Sequence, residues 1–385
     1  MTKLSKVYNT EDLRRAAQAY LPRLVWDYIA GGVDDEVALN YNREAWDALK
    51  LVPRYLVDVA STDTRTTLWG HTWKSCFGIA PMGLQGFARP GADGMLAAAA
   101  ARHGIPFVLS GAGTATIESI TRQAPGHAWF QVYVAREPAV TLDQLKRAQD
   151  SGVDVLVVTV DAPVHSKRER DLRNGFVPPP KIRVPLLLEM LMHPRWCLSM
   201  LRQGGPRFEN WAPYAGKNAD TRAIAAYFSR QIPFIQTWQS LDLIRQSWPG
   251  KLVLKGILDP RDAIRAADAG VDGIIISNHG GRVLDAAVAP VQQLPLIRAA
   301  VGDRLVLMLD SGLRRGSDMV KALALGADFV WIGRPAFYAV AAYGEAGADR
   351  VISLFQEEIN LTLSQIGRPQ IASVLRDTSL VINRC

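Results

Sequence analysis

Two short stretches pair glycine with arginine in a way that suits a phosphate: Asp310-Ser311-Gly312-Leu313-Arg314 and Gly333-Arg334-Pro335. Glycine lets a backbone N–H approach a phosphate oxygen closely, and a guanidinium fork can meet two oxygens at once. Helix-capping glycines beside solvated arginines explain one such stretch easily and two of them poorly, so a phosphorylated ligand is expected. Upstream lies Ser277-Asn278-His279-Gly280-Gly281-Arg282. A histidine in such a place is either an acid–base group or a structural imidazole bonded to backbone. Other polar residues close apolar runs: Ser110, Gln131, Tyr133, Thr159, Asp161 and Lys255. Any one of them could be a satisfied structural group, and their weight together depends on the elements that carry them.

Eight apolar, β-branched runs supply those elements. They are FGIAP (Phe77–Pro81), PFVLS (Pro106–Ser110), WFQVY (Trp129–Tyr133), VLVVTVD (Val155–Asp161), LVLKG (Leu252–Gly256), GIIISNH (Gly273–His279), LVLMLDS (Leu305–Ser311) and FVWIG (Phe329–Gly333). Continuous rather than alternating apolarity indicates strands covered on both faces, as in a parallel sheet. Helical stretches separate them. DPRDAIRAADAG opens with Asp259-Pro260 and ends in Gly270, and GADGMLAAAAARHG ends in Gly104, which are the expected start and stop signals. Eight βα units predict an α/β fold, a (β/α)8 TIM barrel. A doubly wound sheet fits less well, since no G-x-G-x-x-G follows the first run.

In such a barrel the functional residues gather where strands end, and loops after strands seven and eight form the phosphate site. Both Gly/Arg stretches fall there. Two short N-terminal helices are expected, divided at Pro22 and stopped by Gly31-Gly32. A long insertion follows strand four, from Asp161 to Leu252. Within it NGFVPPPKIRVP reads as extended, and VPLLLEMLMHPRWCLSMLRQGG is apolar, flanked by basic residues and broken at Pro194. The chain reads as one domain over 1–385, with 181–219 an inserted lid or membrane-contact segment.

The chain is 48% hydrophobic and 21% charged, ordinary for a soluble enzyme. Three widely spaced cysteines, Cys76, Cys197 and Cys385, argue against a disulfide framework or a metal site. The first twenty residues lack an apolar signal core, and no apolar run reaches the length of about eighteen residues that a spanning helix needs. Net charge is +7, and the stretch Asp161–Glu209 holds nine Lys/Arg against five Asp/Glu. That local excess fits an anionic substrate or a membrane surface; with no nucleic-acid motif present, no nucleic-acid partner is expected.

SNHGGRVLD (Ser277–Asp285), DSGLRRGSDMVKALALGAD (Asp310–Asp328), IGRP (Ile332–Pro335) and TVDAP (Thr159–Pro163) resemble the FMN-dependent α-hydroxy-acid oxidase and dehydrogenase family. The resemblance runs from about Tyr8 to about Gly367. IAPMGLQG, PFVLSGAGTATIES and MHPRW place it nearest the membrane-associated (S)-mandelate and L-lactate dehydrogenase branch. It implies a flavoprotein that oxidises a small anionic L-2-hydroxy acid to the 2-keto acid. His279 would remove a proton while electrons pass to the flavin, and Asp161 would orient and stabilise the imidazolium. Arg282, Arg168 and the Tyr28 hydroxyl would bind the substrate carboxylate, and Tyr133 would face its hydroxyl oxygen. Lys255 would stabilise the reduced flavin. Ser110, Gln131 and Thr159 would hydrogen-bond the isoalloxazine edge and Asp310 the ribityl chain, with Pro81, Met82, Gly83, Ser277 and Ser311 also binding the cofactor. Gly312, Arg314, Gly333 and Arg334 would hold the phosphate. Arg168 lies in SKRER, where Lys167 and Arg170 read as a solvated face.

Two positions depart from many oxidases of the family. Ala112 stands where they carry tryptophan, which leaves room for a larger side chain on the substrate. Gly83 stands where they carry alanine, which favours a quinone or other electron carrier over O₂. The insertion resembles a membrane-contact segment, which implies a peripheral position on the cytoplasmic side of the inner membrane; a lid helix packed on the barrel is the other reading. A homo-tetramer or other homo-oligomer is also implied. The rivals are an O₂-using oxidase that makes hydrogen peroxide, a peptide-modifying family member, and a flavin barrel of another class.

Overall fold

The structure, a computed structural model, describes residues 3–176, 189–232 and 235–383. Eight parallel strands close into a barrel: β1 (Phe77–Ile79), β2 (Phe107–Ser110), β3 (Ala128–Val132), β4 (Val155–Thr159), β5 (Lys251–Ile257), β6 (Gly273–Ile276), β7 (Val306–Leu309) and β8 (Phe329–Ile332). All eight expected runs are present, in sequential order around the ring, and β8 pairs with β1 to close it. The two-sided apolarity has its cause here. One set of side chains, including Val108, Trp129, Val157, Val253, Ile275, Met308 and Trp331, fills the barrel; the alternate set packs outward against the helices.

The ladder ends before the chemistry begins. β3 stops at Val132, β4 at Thr159 and β6 at Ile276. Tyr133, Asp161 and Ser277–His279 therefore lie just past the last paired residues, on the C-terminal rim. At the opposite end a hairpin, Thr66–Leu68 with His71–Trp73, stands at the barrel base, with Trp69 packed 5.8 Å from the Trp129 ring.

The two N-terminal helices are Thr10–Tyr20 and Arg23–Ala30, divided at Pro22 as expected. Asn9 caps the first by accepting from Asp12 N–H. A third helix, Val37–Ala48, leads into a strand at Leu49–Leu51 that pairs antiparallel with Val381–Asn383. Neither that helix nor that pairing had a sequence signal. The insertion contributes helices Glu169–Asn174, Pro194–Gln203, Thr221–Gln231 and Trp238–Ser247. Pro194 does interrupt the chain, and it then serves as the first residue of a helix, where its missing N–H costs nothing. That helix buries Trp196, whose indole N–H donates to Phe87 O at 3.0 Å, and exposes Leu198 and Leu201. Lys181, Arg183 and most of the Pro-rich stretch lie outside the described residues. Among the described residues no helix is long and apolar enough to cross a membrane.

The helix Val37–Ala48 braces the loop after β7 through one carboxylate. Asp318 receives Arg43 Nη1 at 2.7 Å and Nη2 at 3.2 Å, and accepts the Arg314 and Arg315 backbone N–H groups. Burial alone would raise its pKa, but the Arg43 contacts hold it below the ordinary carboxylate range. Stability from this group is therefore present at neutral pH and declines as pH falls below the ordinary carboxylate value toward the lowered one. Asp318→Ala should cost about 3–5 kcal/mol, because Arg43 loses its buried partner. A urea midpoint within error of the parent's would show that Asp318 does not brace this loop.

Candidate active site

Three successive residues after β6 adopt left-handed backbone: His279 (φ 56°), Gly280 (66°) and Gly281 (72°). Glycine is required at the third, where an added Cβ would stand 2.5 Å from Leu39 N. The turn is pinned from behind by Asn278, whose side-chain amide exchanges hydrogen bonds with Asn42 at 2.9 and 2.7 Å. It swings the imidazole toward the loop after β4, where His279 Nδ1 meets Asp161 Oδ1 at 2.9 Å. Burial pushes the Asp161 carboxyl up, but His279 and Lys255 together hold it below the usual range. Asp161 is thus ionised at neutral pH and accepts the Nδ1 proton. Nε2 has no hydrogen-bond partner among the described residues, so it is the nitrogen free to take a proton.

Lys255, buried on β5, donates to Ser277 Oγ at 2.8 Å and sits 3.0 Å from Asp310 Oδ2. Burial would lower its pKa, yet Asp310 and Asp161 hold it above the ordinary value, so its charge is fixed. Ser311 Oγ donates to Asp310 at 2.8 Å and accepts Gly280 N–H at 3.1 Å. Across the rim, Ser110 Oγ donates to Gln131 Oε1 at 2.9 Å, which leaves Gln131 Nε2 a buried donor with no partner. Thr159 is buried, and its carbonyl accepts Gln236 Nε2 at 3.0 Å.

The arginines gather around Tyr28. The Arg282 guanidinium lies 5.1 Å and that of Arg168 5.6 Å from the Tyr28 ring centroid. Arg282 Nη1 is spent on Tyr28 O and Gly31 O, at 2.7 and 3.0 Å. Burial and the nearby Arg168 charge lower its pKa, so the pair favours an anion between them. Tyr28 Oη donates to Gly83 O at 3.2 Å. Burial, aided by Asp161, pushes the Tyr133 phenol up, so it stays a proton donor. An added Cβ on Gly83 would lie 3.1 Å from Ala112 Cβ and 3.5 Å from Tyr28 Oη. The loops after β1 and β2 thus meet through two small residues.

At the Gly/Arg loops, Ser311 (φ 77°) and Gly312 (84°) form a second left-handed turn. Arg334 donates to Ile29 O, Gly280 O and Gly31 O at 2.9–3.1 Å, and burial drags its pKa down to about 9. Burial likewise lowers Arg314. Neither guanidinium contacts a carboxylate among the described residues. A cavity of about 390 Å³ is lined by Gly312, Arg314 and Arg334 together with Arg43 and Tyr338. Guanidiniums short of an anion, a close-approach glycine and the orphaned Gln131 amide fit a phosphorylated flavin. Pro81 lies two residues past the end of β1, and Met82 Sδ would stand 3.9 Å from a Cβ built on Gly333.

Sequence reasoning missed four contributors. Phe176 stacks on Tyr28 with centroids 4.8 Å apart. Asn42 pins the His279 turn, Gln236 holds the end of β4, and Asp171 lies beside Arg168. Arg170 is partly solvated, as read, but it also pairs with Glu36 and lies 3.7 Å from Asp27, whereas Lys167 is exposed and among the described residues pairs with nearby Glu169. Of the four, Asp171 alone carried a signal, as the acid closing a basic run.

A family model described as FMN-dependent dehydrogenase matches residues 17–381. The chain is 40% identical to (S)-mandelate dehydrogenase of Pseudomonas putida over 96% of this chain and 93% of that protein. It is 40% identical to L-lactate dehydrogenase of Caulobacter sp. strain K31, over 94% and 95%. It is 37% identical to L-lactate oxidase of Nostoc sp. PCC 7120, over 99% and 100%. The crystal structure of the monotopic membrane protein (S)-mandelate dehydrogenase superposes with a TM-score of 0.94 at 39% identity, covering 98% of this chain and all of the other. Flavin released from the purified protein on denaturation should carry a single phosphate, and Arg334→Met should purify with markedly less of it. Release of a dinucleotide flavin would contradict the assignment of the Gly312 and Arg334 loops.

Proposed function

The chain belongs to the FMN-dependent dehydrogenase family and oxidises the CH–OH group of 2-hydroxy acids, and we propose that His279 is the base of that reaction, acting from Nε2. The observation that carries this is the His279–Asp161 hydrogen bond at 2.9 Å, set beside two arginines and a phenol suited to a carboxylate. FMN, when bound, supplies the two-electron acceptor. Arg282 and Arg168 hold the carboxylate with their forked donors, and the Tyr28 hydroxyl is a third donor. Tyr133 points its proton at the substrate oxygen. Nε2 then removes a proton from the substrate, and the ionised Asp161 stabilises the resulting imidazolium. Lys255 keeps a fixed positive charge by Ser277 and Asp310, where it would stabilise the reduced cofactor, and Ser110, Gln131 and Thr159 would hydrogen-bond the ring's edge.

The substrate is a mandelate- or lactate-like L-2-hydroxy acid. The small size of Gly83 and Ala112, with Phe176 stacked on Tyr28, favours the larger, aromatic side chain. Electrons pass to a quinone or other carrier; an O₂-using enzyme is the second reading, since an L-lactate oxidase is as well covered as the dehydrogenases. Peripheral membrane contact at the cytoplasmic side is supported by Leu191, Met192, Leu198 and Leu201, all exposed on or just before one helix that also carries Arg202. Residues 1–385 act as one domain, within which 181–219 provides this contact. Exposed Tyr55 and Leu56 offer apolar surface for a homo-oligomer, in the proposal a tetramer.

His279→Asn should retain FMN and slow anaerobic flavin reduction by roughly 10²–10⁴-fold, since an amide cannot act as the base. Near-parental bleaching would place the base elsewhere. Arg282→Met should lower kcat/KM by about tenfold to a hundredfold, as expected for a lost charged hydrogen bond. For acceptor and location, the reduced enzyme should reoxidise slowly in air and rapidly with a soluble quinone analogue. Leu198→Asp combined with Leu201→Asp should move it from the membrane to the soluble fraction with flavin reduction intact. Rapid peroxide formation, from a parent protein already soluble at low salt, would favour the oxidase.

A further inference from the structure

The two arginines that face the substrate already have an anion beside them. Asp171 lies three residues after Arg168 on the helix Glu169–Asn174, a spacing that brings the side chains to the same face. Arg168 Nη1 stands 3.4 Å from Asp171 Oδ2, and the Asp171 side chain is only 8% exposed. That oxygen nevertheless accepts no hydrogen bond. The contact is charge beside charge, without the aligned N–H groups that make an arginine–carboxylate pair strong.

The carboxylate is held where it is. Its helix is latched to the start of the helix Val37–Ala48 through Arg170 on Glu36, and to the helix Arg23–Ala30 through Asn174 Nδ2 donating to Asp27 at 2.7 Å. At its far end Phe176 N–H donates to Asp171 O at 2.8 Å while the Phe176 ring stacks on Tyr28. Asp171 therefore cannot follow Arg168 if that side chain turns toward a ligand. The groups that face it are Arg168, Arg282 and Arg170 on one side of the charge balance and Asp27 on the other. Burial holds its carboxyl above the ordinary range against the pull of Arg168 and Arg282.

We propose that Asp171 is a resident counter-anion, which Arg168 exchanges for the carboxylate of the substrate, and that it thereby sets how loosely substrate and product are held. The proposal rests on the reading that Arg168 and Arg282 bind the substrate carboxylate. At rest the pair has one loosely engaged anion for two cations. A bound hydroxy acid brings the second anion, with two oxygens that can meet the forks in line. Substrate and keto-acid product share that carboxylate, so competition from Asp171 weakens both alike. It is uniform binding, which moves KM and product release and leaves the chemical step untouched. Asp171 is a positioning residue: it acts through Arg168 and touches neither the reacting carbon nor the cofactor.

The test uses the FMN-loaded protein and benzoate, a carboxylate with no hydroxyl to oxidise, titrated by calorimetry. Asp171→Asn should tighten benzoate and the 2-keto-acid product by about tenfold, the effect of removing one neighbouring charge. KM should fall with them, while anaerobic flavin reduction at saturating substrate stays within about twofold of the parent. Asp171→Ser removes the same charge with less demand on space and should behave alike. If the residue only braces its helix, Arg168 would drift and benzoate would bind more weakly; that result, or unchanged affinity, overturns the proposal. Arg282→Met is the separate arm. If it weakens benzoate while Asp171→Asn fails to tighten it, the counter-anion role alone falls. If it too leaves benzoate affinity unchanged, the carboxylate reading of the arginines falls with it.

Discussion

Positive charge drawn partly out of water is what the rest of the barrel mouth is arranged around. Lys255, Arg282, Arg314 and Arg334 crowd one rim, and among the described residues only Lys255 has a carboxylate in contact, Asp310. An unpaired cation taken out of water is expensive, and the cost shows in the lowered pKa values of the three arginines. The chain offsets part of it with backbone carbonyls: Arg334 is clasped by three of them and Arg282 by two. Neutral carbonyl dipoles soften the penalty without cancelling the charge. A phosphate or a carboxylate bound here would complete the balance and so add stability through linkage. Selection for small anions follows from the same surplus.

Those carbonyls also join the His279 turn to the Gly/Arg loops. Gly280 O, which accepts Arg334 Nη1, belongs to the residue following His279, and Gly280 N–H donates to Ser311 Oγ in the loop after β7. A non-glycine residue in left-handed backbone costs about 1 kcal/mol or more, and both His279 and Ser311 accept that cost. Each turn is held by the other and by the Asn278–Asn42 pair. The imidazole is therefore aimed by the same hydrogen bonds that shape the Gly/Arg loops, and a change at Arg334 should be felt at His279.

The sequence reading reached the barrel because both-face apolarity is a long, repetitive signal, one that eight separate runs carried. The rim residues were legible for a related reason: each polar side chain sits near the C-terminal end of a strand or one to three residues past it, as Tyr133, Asp161 and His279 do. What stayed hidden depends on contacts distant in sequence. Asn42 reaches Asn278 from a helix with no marked signal, and the pairing of Leu49–Leu51 with Val381–Asn383 joins the two ends of the chain. The ion pairs of Arg170 were hidden because its partners come from elsewhere in the chain, Asp27 from the helix Arg23–Ala30 and Glu36 from the start of the helix Val37–Ala48. The three residues Asp27, Glu36 and Arg170 become legible only together.

The helix Pro194–Gln203 and the pocket wall form one packed unit. Trp196 meets Phe87 with centroids 6.0 Å apart, Phe87 meets Phe176 at 5.4 Å, and Phe176 stacks on Tyr28 at 4.8 Å. Aromatic contacts of this kind are stiff, since each ring has few rotamers and its neighbours fill the space around it. His193 and Trp196 add polar anchors at Tyr20 O and Phe87 O. The exposed leucines on the helix's other face are therefore fixed relative to Tyr28. Any surface that this helix met would hold a constant position with respect to Tyr28. A flexible tether would fix no orientation; this column of rings would.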